Sequence, residues 1–182
     1  MTITEKKSPP EGARKILESI ERNIKNDNGA KASLKRVLTG EPRHIRAVYS
    51  IVLPYLGGIE YNLNEWIFVA ALLAYYPQKL DRTSVKNFGS SARGLAGENS
   101  SEGTDRRFRA LLDTSLEDIR SPLSALIRQM KTKDITIDYP KLIVDLCQWN
   151  HSDQYVQDQW AKSFWGYQPP QDESQPTPAS NN

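Results

Sequence analysis

Residues 104–112 read Thr-Asp-Arg-Arg-Phe-Arg-Ala-Leu-Leu, and the organisation of the whole chain can be worked out from them. Three apolar side chains follow the i, i+3, i+4 spacing of a buried helix face. They are Phe108, Leu111 and Leu112. The arginines between them cannot enter a core, because burying an unpaired guanidinium is strongly unfavourable. We therefore predict one helix that is anchored in a core and carries three exposed cations. These cations are Arg106, Arg107 and Arg109.

Two interpretations of this arginine triplet stay open at the level of sequence. The planar guanidinium matches phosphate oxygens two at a time, which a lysine cannot do, so the triplet is suited to nucleic-acid backbone. For an isolated triplet, however, a solvated face with local Asp or Glu partners is the commoner arrangement. The remaining sequence has to distinguish the two.

Length and composition restrict the class of protein. The chain has 182 residues, which suits one compact domain or two small halves with a shared core. Lys and Arg number 24 against 22 Asp and Glu, so only a local basic patch could bind nucleic acid. The single cysteine suits a reducing compartment. Residues 1–12 lack a signal-peptide pattern, and the apolar run 66–76 is too short to cross a bilayer. We expect a cytoplasmic protein without a membrane segment.

Helical spacing of apolar residues predicts an all-α fold, an irregular bundle of about eight or nine helices. We expect a domain at 11–167 with two helical halves, about 11–98 and 99–167, that share one core. Residues 1–10 and 168–182 are predicted to be a disordered lead and a disordered tail. The run 66–76 is apolar all round and is predicted to be the central core helix. Residues 134–137 alternate like a strand, but four residues cannot make a sheet.

Several helix starts are suggested by capping patterns. Asn62 stands three residues before an acidic residue, and Thr114 with Glu117 has the spacing of a capping box. Asp138 precedes a Tyr-Pro pair and an apolar helical stripe, and is predicted to cap that helix. Ser152 is predicted to cap the last helix.

A second basic stretch lies in the first half of the chain. Lys31 and Lys35 stack at i, i+4 on a predicted helix, with Arg36 one step round. Like charges at this spacing destabilise an isolated helix, so something outside the helix is expected to compensate them. Arg43 and Arg46 follow on the exposed side of the next predicted helix.

The order of several sequence elements resembles the CasB family, the small subunit of the type I-E CRISPR surveillance complex, Cascade. The likeness spans about 13–167, and its weight comes from elements that fall in the right order. In the second half they are 106–112, Leu-Glu-Asp-Ile at 116–119, 123–130, Ile-Asp-Tyr at 137–139 with Leu142, Trp149, and Trp-Ala-Lys-Ser-Phe at 160–164. In the first half they are Gly29, Ala32 and Leu-Lys-Arg at 34–36, similar to a family Gly-x-x-Ala-x-Leu-Arg-Arg element, and the apolar helix 66–77 that ends in Pro.

The resemblance implies an all-helical, non-catalytic subunit. Family members pack head to tail with a second copy, against the backbone and large subunits of Cascade. Their basic surface holds guide RNA and target DNA strands and stabilises the R-loop. Lys35 and Arg36 match the Leu-Arg-Arg element, with Lys35 standing where Arg is usual. Arg106, Arg107 and Arg109 match the Arg-Phe element.

The candidate nucleic-acid-binding residues combine these matches with other basic positions. The set is Lys31, Lys35, Arg36, Arg43, Arg46, Arg93, Arg106, Arg107, Arg109 and Lys131. Further basic residues that match no family element are Arg82, Lys86 and Lys133. Phosphate binding requires that such cations come together on one exposed ridge of the folded protein.

Catalysis is not indicated by the sequence. His44 and His151 lack the spacing of a metal-ligand motif, and Cys147 has the setting of a small buried hydrophobe. The acidic pairs, at 117–118 and at 153 with 158, are explained by capping and by solvated faces. We predict no catalytic residue, no metal and no cofactor. An alternative function also remains, a helical adaptor whose charges contact only protein partners.

Overall fold

The computed structural model describes residues 9–58, 61–80, 86–97 and 102–166. In these ranges every regular element is a helix, which confirms the all-α class, and residues 134–137 form no strand. The predicted tail at 168–182, most of the predicted lead at 1–10, and Arg82 lie outside the described residues. Pro9 and Pro10 belong to the first helix, which therefore begins two residues before the expected start at residue 11.

Ten α-helical segments and one 3-10 turn are found in the described ranges. In chain order they are α1 (Pro9–Ile24), α2 (Asn28–Val37), α3 (Pro42–Ala47), α4 (Tyr49–Val52), a 3-10 turn (Leu53–Tyr55), α5 (Leu63–Tyr75), α6 (Phe88–Ala96), α7 (Glu102–Leu112), α8 (Arg120–Thr132), α9 (Tyr139–Cys147) and α10 (Tyr155–Trp165). Only Val48 separates α3 from α4, and together they occupy the single helix expected after Pro42.

Helix α5 is the centre of the fold, as its all-round apolar sequence predicts. Its residues from Trp66 to Ala74 are all buried. Helices α2, α9 and α1 pack against it. The buried Tyr139 hydroxyl of α9 donates to the carbonyls of Leu72, at 3.2 Å, and Tyr76, at 2.9 Å. Because this burial disfavours the phenolate, the pKa of Tyr139 is raised well above its usual value, and the hydroxyl remains a donor at neutral pH.

The two halves of the chain share one core. Helix α9, from the second half, lies against both α1 and α5 of the first. Helix α6, from the first half, packs closely on α10 of the second, where Trp160 contacts Phe88 and Trp149 at ring-centroid distances of 5.0 and 4.9 Å. A single cluster of buried apolar residues runs through both halves, as predicted.

One charged group lies inside this core. Asp145 is 2% exposed and accepts hydrogen bonds from the Trp160 indole N–H, at 2.8 Å, and from the Lys141 ammonium. Burial raises the pKa of this carboxyl, and the Lys141 and Trp160 bonds act in the opposite direction. A buried carboxylate needs such hydrogen-bond partners. The bond between Asp145 and Trp160 also joins α9 to α10.

Of the four predicted helix caps, only that of Asp138 is confirmed. Asp138 caps α9 by accepting from the Lys141 N–H at 2.9 Å, which confirms that prediction. Asn62 has a left-handed backbone (φ 62°) and makes no side-chain cap, so that prediction was wrong. The capping box predicted for Thr114 and Glu117 is not formed. The Thr114 hydroxyl donates to the Ala110 carbonyl, and α8 begins only at Arg120. The residue preceding α10 is Gln154 rather than Ser152, and it too makes no side-chain cap.

Candidate nucleic-acid interface

Four lysines from three parts of the chain border one surface depression of about 440 Å³, which we call the lysine depression. They are Lys25, Lys31, Lys35 and Lys131. The remainder of its lining is mostly apolar and consists of Ile24, Leu73, Ala74, Tyr75, Pro77 and the carboxylate-bearing Glu21. Three candidates from the sequence, Lys31, Lys35 and Lys131, are therefore brought together, although Lys131 lies far from the other two along the chain.

The position of each of these lysines follows from the helix that carries or precedes it, and two of them are held by a nearby carbonyl. Lys25 directly follows the C-terminus of α1, and Lys31 and Lys35 share one face of α2. The Lys31 ammonium donates to the Lys25 carbonyl at 2.6 Å. The Lys131 ammonium donates to the Tyr75 carbonyl at 2.9 Å and lies 4.1 Å from the centroid of the Tyr75 ring. Carbonyls at helix C-termini attract cations, so the bond of Lys31 to the Lys25 carbonyl partly offsets the repulsion between Lys31 and Lys35 on α2.

Glu21 is the one carboxylate that lines the lysine depression. Its pKa is raised, first by burial and then by the neighbouring Glu18, whereas Lys25 acts to lower it. Lys25 therefore interacts electrostatically with Glu21. Among the described residues no ion pair involves Lys31, Lys35 or Lys131, so their charges are available to an anionic ligand.

The arginine helix α7 is arranged differently. The Arg109 Nε donates to Asp105 at 2.6 Å, and the Trp165 indole N–H donates to the other oxygen of the same carboxylate at 2.7 Å. The Arg109 guanidinium lies 4.5 Å from the centroid of the Trp165 ring, which is 42% exposed. We call Asp105, Arg109 and Trp165 the Trp165 platform. The local acidic partner that the sequence left open is thus present for Arg109.

The other candidates do not line the lysine depression. The Arg93 guanidinium lies so close to Gly166, at the C-terminus of α10, that a Cβ there would be 2.4 Å from its Nη1. Arg43 is paired with Glu41 at 2.6 Å, and both are largely exposed. The rest are exposed and make no ion pair with a described residue: Arg36, Arg46, Arg106 and Arg107. None of the four lines the lysine depression, although Arg36 is adjacent in the chain to Lys35, which does.

Sequence reasoning missed Lys25 and an acidic hollow. Lys25 lies one residue past α1, where helical periodicity no longer indicates the direction of a side chain.

The acidic hollow is near the N-terminus of α5, and its charged lining is Glu65, Glu117, Asp118 and Arg120. Arg120 donates to the Asn64 carbonyl at 3.2 Å, and burial lowers its pKa from the usual value. The lysine depression and the acidic hollow therefore lie at opposite ends of α5.

The groups considered for catalysis have ordinary surroundings. The ring of His44 contacts the Thr39 hydroxyl at 3.0 Å. Burial raises the pKa of the Cys147 thiol to about 11, which keeps it protonated and unreactive at neutral pH. Within the described ranges there is no group of three or more His, Cys, Asp or Glu side chains that could hold a metal ion. Nor is any helix of those ranges long and apolar enough to span a membrane.

Lowering the pH is expected to release Trp165 from its platform. The hydrogen bond from Arg109 and then that from Trp165 lower the pKa of Asp105 below 3.8. A carboxyl whose pKa is depressed by folding stabilises the folded state above its ordinary pKa, and this contribution is lost as pH falls through the lowered value. The Trp165 indole N–H resonance should therefore titrate with a midpoint below the ordinary carboxyl value of 3.8.

The control for this titration is Asp105→Asn, which keeps an acceptor for the indole but cannot titrate. Its indole resonance should not move over the same pH range. A wild-type midpoint above pH 3.8, or an equal titration in Asp105→Asn, would contradict the contact between Asp105 and Trp165.

The architecture and surface define a class: an all-helical protein that presents basic side chains around an apolar depression. Comparison with known proteins gives the family. The model of the family described as CRISPR-associated protein Cse2 matches residues 30–165, and the chain belongs to this family. The resemblance to CasB is thereby confirmed, because solved structures of this fold carry both names.

Individual relatives agree with this assignment. CRISPR-associated protein Cse2 of Thermus thermophilus is 26% identical over 142 residues, which cover 75% of this chain and 79% of the relative. The crystal structure of CasB from Thermus thermophilus is 25% identical, with a TM-score of 0.68, and the match covers 85% of this chain and 98% of that one. A chain of a CRISPR RNA-guided surveillance complex has a TM-score of 0.73 at 22% identity, covering 87% and 94% respectively, and shows the same fold.

Proposed function

We propose that this chain is the non-catalytic small subunit of a type I-E CRISPR Cascade complex, in which it binds nucleic-acid backbone and stabilises the R-loop in antiviral defence. The observation that carries the proposal is the match to the Cse2 family over residues 30–165. A structural neighbour is part of a CRISPR RNA-guided surveillance complex, which supports the same assignment. The proposal places the protein in the cytoplasm, with guide RNA and target DNA as ligands.

The mechanism we propose is electrostatic. Lysines and arginines neutralise phosphates and release counterions, so binding is independent of base sequence and steep in salt concentration. The lysine depression supports this mechanism because it collects cations with no described acidic partner apart from Glu21. With about five phosphate contacts, the isolated subunit would bind weakly near physiological salt. Docking beside the R-loop would raise the effective concentration and make the same contacts sufficient.

The proposed partners are the backbone and large subunits of Cascade and a second copy packed head to tail. The acidic hollow lies at the N-terminal end of α5, away from the lysine depression at its C-terminal end. It supports this packing as a surface for basic side chains of a neighbouring copy, and it leaves the lysine depression open to nucleic acid.

The experiment replaces Arg36 and Arg107 by Ala in the assembled complex. Both side chains are exposed and lie outside the core, so assembly should be unchanged. Removing two phosphate contacts should weaken retention of the target or displaced strand roughly tenfold near physiological salt. Filter binding and size-exclusion chromatography measure the two properties. Arg128→Ala, also exposed but not a candidate, is the matched control.

A second function is favoured by the Trp165 platform. An exposed tryptophan fixed by a carboxylate and an arginine is typical of the anchor of a protein interface. A helical adaptor would use its charges for protein partners only. In that case the arginine variants would lose assembly, and the purified subunit would show no salt-dependent binding of nucleic acid. Unchanged retention of both strands across a salt series would likewise contradict our proposal.

A further inference from the structure

The lysine depression has a composition that phosphate binding alone does not require. Phosphates need only cations on a surface, but five of the ten residues that line this depression are apolar or aromatic. Tyr75, at its edge, is half-buried, and Pro77 is exposed. A concave apolar surface ringed by positive charge is complementary to a ligand with a flat apolar body and an anionic edge. An unstacked nucleotide has this chemistry.

We propose that the lysine depression is a subsite for one unpaired nucleotide of a single strand. Its base would lie against the apolar lining beside Tyr75, and its flanking phosphates would contact Lys31, Lys35 and Lys131. This inference rests on the proposed function and specifies the ligand of one of its surfaces. A duplex keeps its bases in the stack, so the subsite selects single-stranded over double-stranded nucleic acid.

The geometry supports this placement of base and phosphate. The ammonium of Lys131 is held by the Tyr75 carbonyl, at 2.9 Å, and lies over one face of the Tyr75 ring, 4.1 Å from its centroid, so the base would contact the other face or the edge of that ring. Lys31 and Lys35 approach from α2. The opposite charges of Glu21 and Lys25 offset each other, so these two residues add little net attraction for phosphate. The volume of about 440 Å³ falls in the range of small-molecule sites and accommodates one nucleotide rather than a helix.

The test compares two fluorescent probes at low salt with the purified full chain. One is a twelve-nucleotide oligothymidylate, and the other is a twelve-unit abasic strand of tetrahydrofuran residues. Both carry the same phosphates. Wild type should bind the base-bearing strand at least about fivefold more tightly, because stacking of a base on a protein aromatic contributes on this order. Tyr75→Leu removes the ring but keeps the backbone carbonyl that holds Lys131. In this variant the preference for bases should disappear.

The matched control is Tyr61→Leu, which changes a tyrosine that is 76% exposed and lies outside the depression. It should keep the wild-type preference. Equal binding of both strands by wild type would overturn the nucleotide subsite while leaving backbone binding intact. A base preference that persists in Tyr75→Leu would overturn its location. If wild type binds neither strand at low salt, the proposed function itself fails.

Discussion

Gly89→Ala is expected to disrupt the packing of α6 on α10 and to lower the free energy of unfolding by about 3 kcal/mol or more. A Cβ at position 89 would lie 2.0 Å from the carbonyl oxygen of Trp160 and 2.7 Å from its carbonyl carbon. Both are backbone atoms, so no side-chain rotation relieves the clash and α10 has to move. Typical domains are stable by about 5–15 kcal/mol, which makes this a large fraction of the total.

Gly103→Ala is the matched control for this substitution. A Cβ at Gly103, in the first turn of α7, would meet no atom within 4 Å, and alanine should stabilise the helix by up to about 1 kcal/mol. Urea denaturation measures both variants. In Gly89→Ala the displaced α10 should also carry Trp165 away from Asp105, which the indole N–H resonance reports. Stabilities of the two variants within about 1 kcal/mol of each other would contradict the close approach of α6 and α10.

The fold was predictable wherever a single physical requirement dominated. The run at 66–76 is apolar on all sides, and an all-round apolar helix of that length can only lie in a core. The structure buries its residues from Trp66 to Ala74. The arginine helix was equally constrained, since its apolar stripe had to turn inward, and Phe108 and Leu111 are buried.

Capping was less predictable, because local patterns compete with contacts distant in sequence. The Thr114 and Glu117 spacing fits a capping box, but the Thr114 carbonyl accepts a hydrogen bond from the Trp149 indole at 2.9 Å. This bond helps hold residue 114 at the end of α7, and α8 starts later. Nothing in residues 114–117 encodes the position of Trp149. Asp138 was predictable because its cap bond, to the Lys141 N–H, is entirely local.

The same difference between local contacts and contacts distant in sequence applies to the candidate site. The ion pair of Arg109 with Asp105 follows from i, i+4 spacing on one helix, but the bond of Asp105 to Trp165 spans 60 residues. Likewise, the approach of Lys131 to Lys31 depends on how α8 and α2 pack about the end of α5. Periodicity gives the exposed face of each helix, not the neighbours of that face. Three of the ten candidates, Lys31, Lys35 and Lys131, line the lysine depression, and Arg109 belongs to the Trp165 platform.

Replacing Lys31, Lys35 and Lys131 together by Ala is expected to have the largest effect on nucleic-acid binding. Each phosphate contact contributes about 0.7 to the slope of log K against log salt for a single strand, so the slope should fall by about 2. Extrapolated from 1 M salt, this corresponds to a loss of about 50-fold in affinity near 0.15 M salt and more at lower concentrations. Fluorescence anisotropy with a labelled single strand, across a salt series, measures both quantities.

Two variants separate loss of charge from loss of structure. Replacing the same three lysines by Arg keeps every positive charge and should restore the slope, although the contacts of Lys131 with Tyr75 change. Lys15→Ala removes one exposed lysine of α1 that does not line the depression and should leave the slope nearly unchanged. The lysine side chains lie outside the apolar core, so thermal unfolding of the triple variant should resemble that of wild type. A stable triple-Ala variant with the wild-type slope would show that phosphates are held elsewhere, and the exposed arginines of α2 and α7 would then be the surface to test.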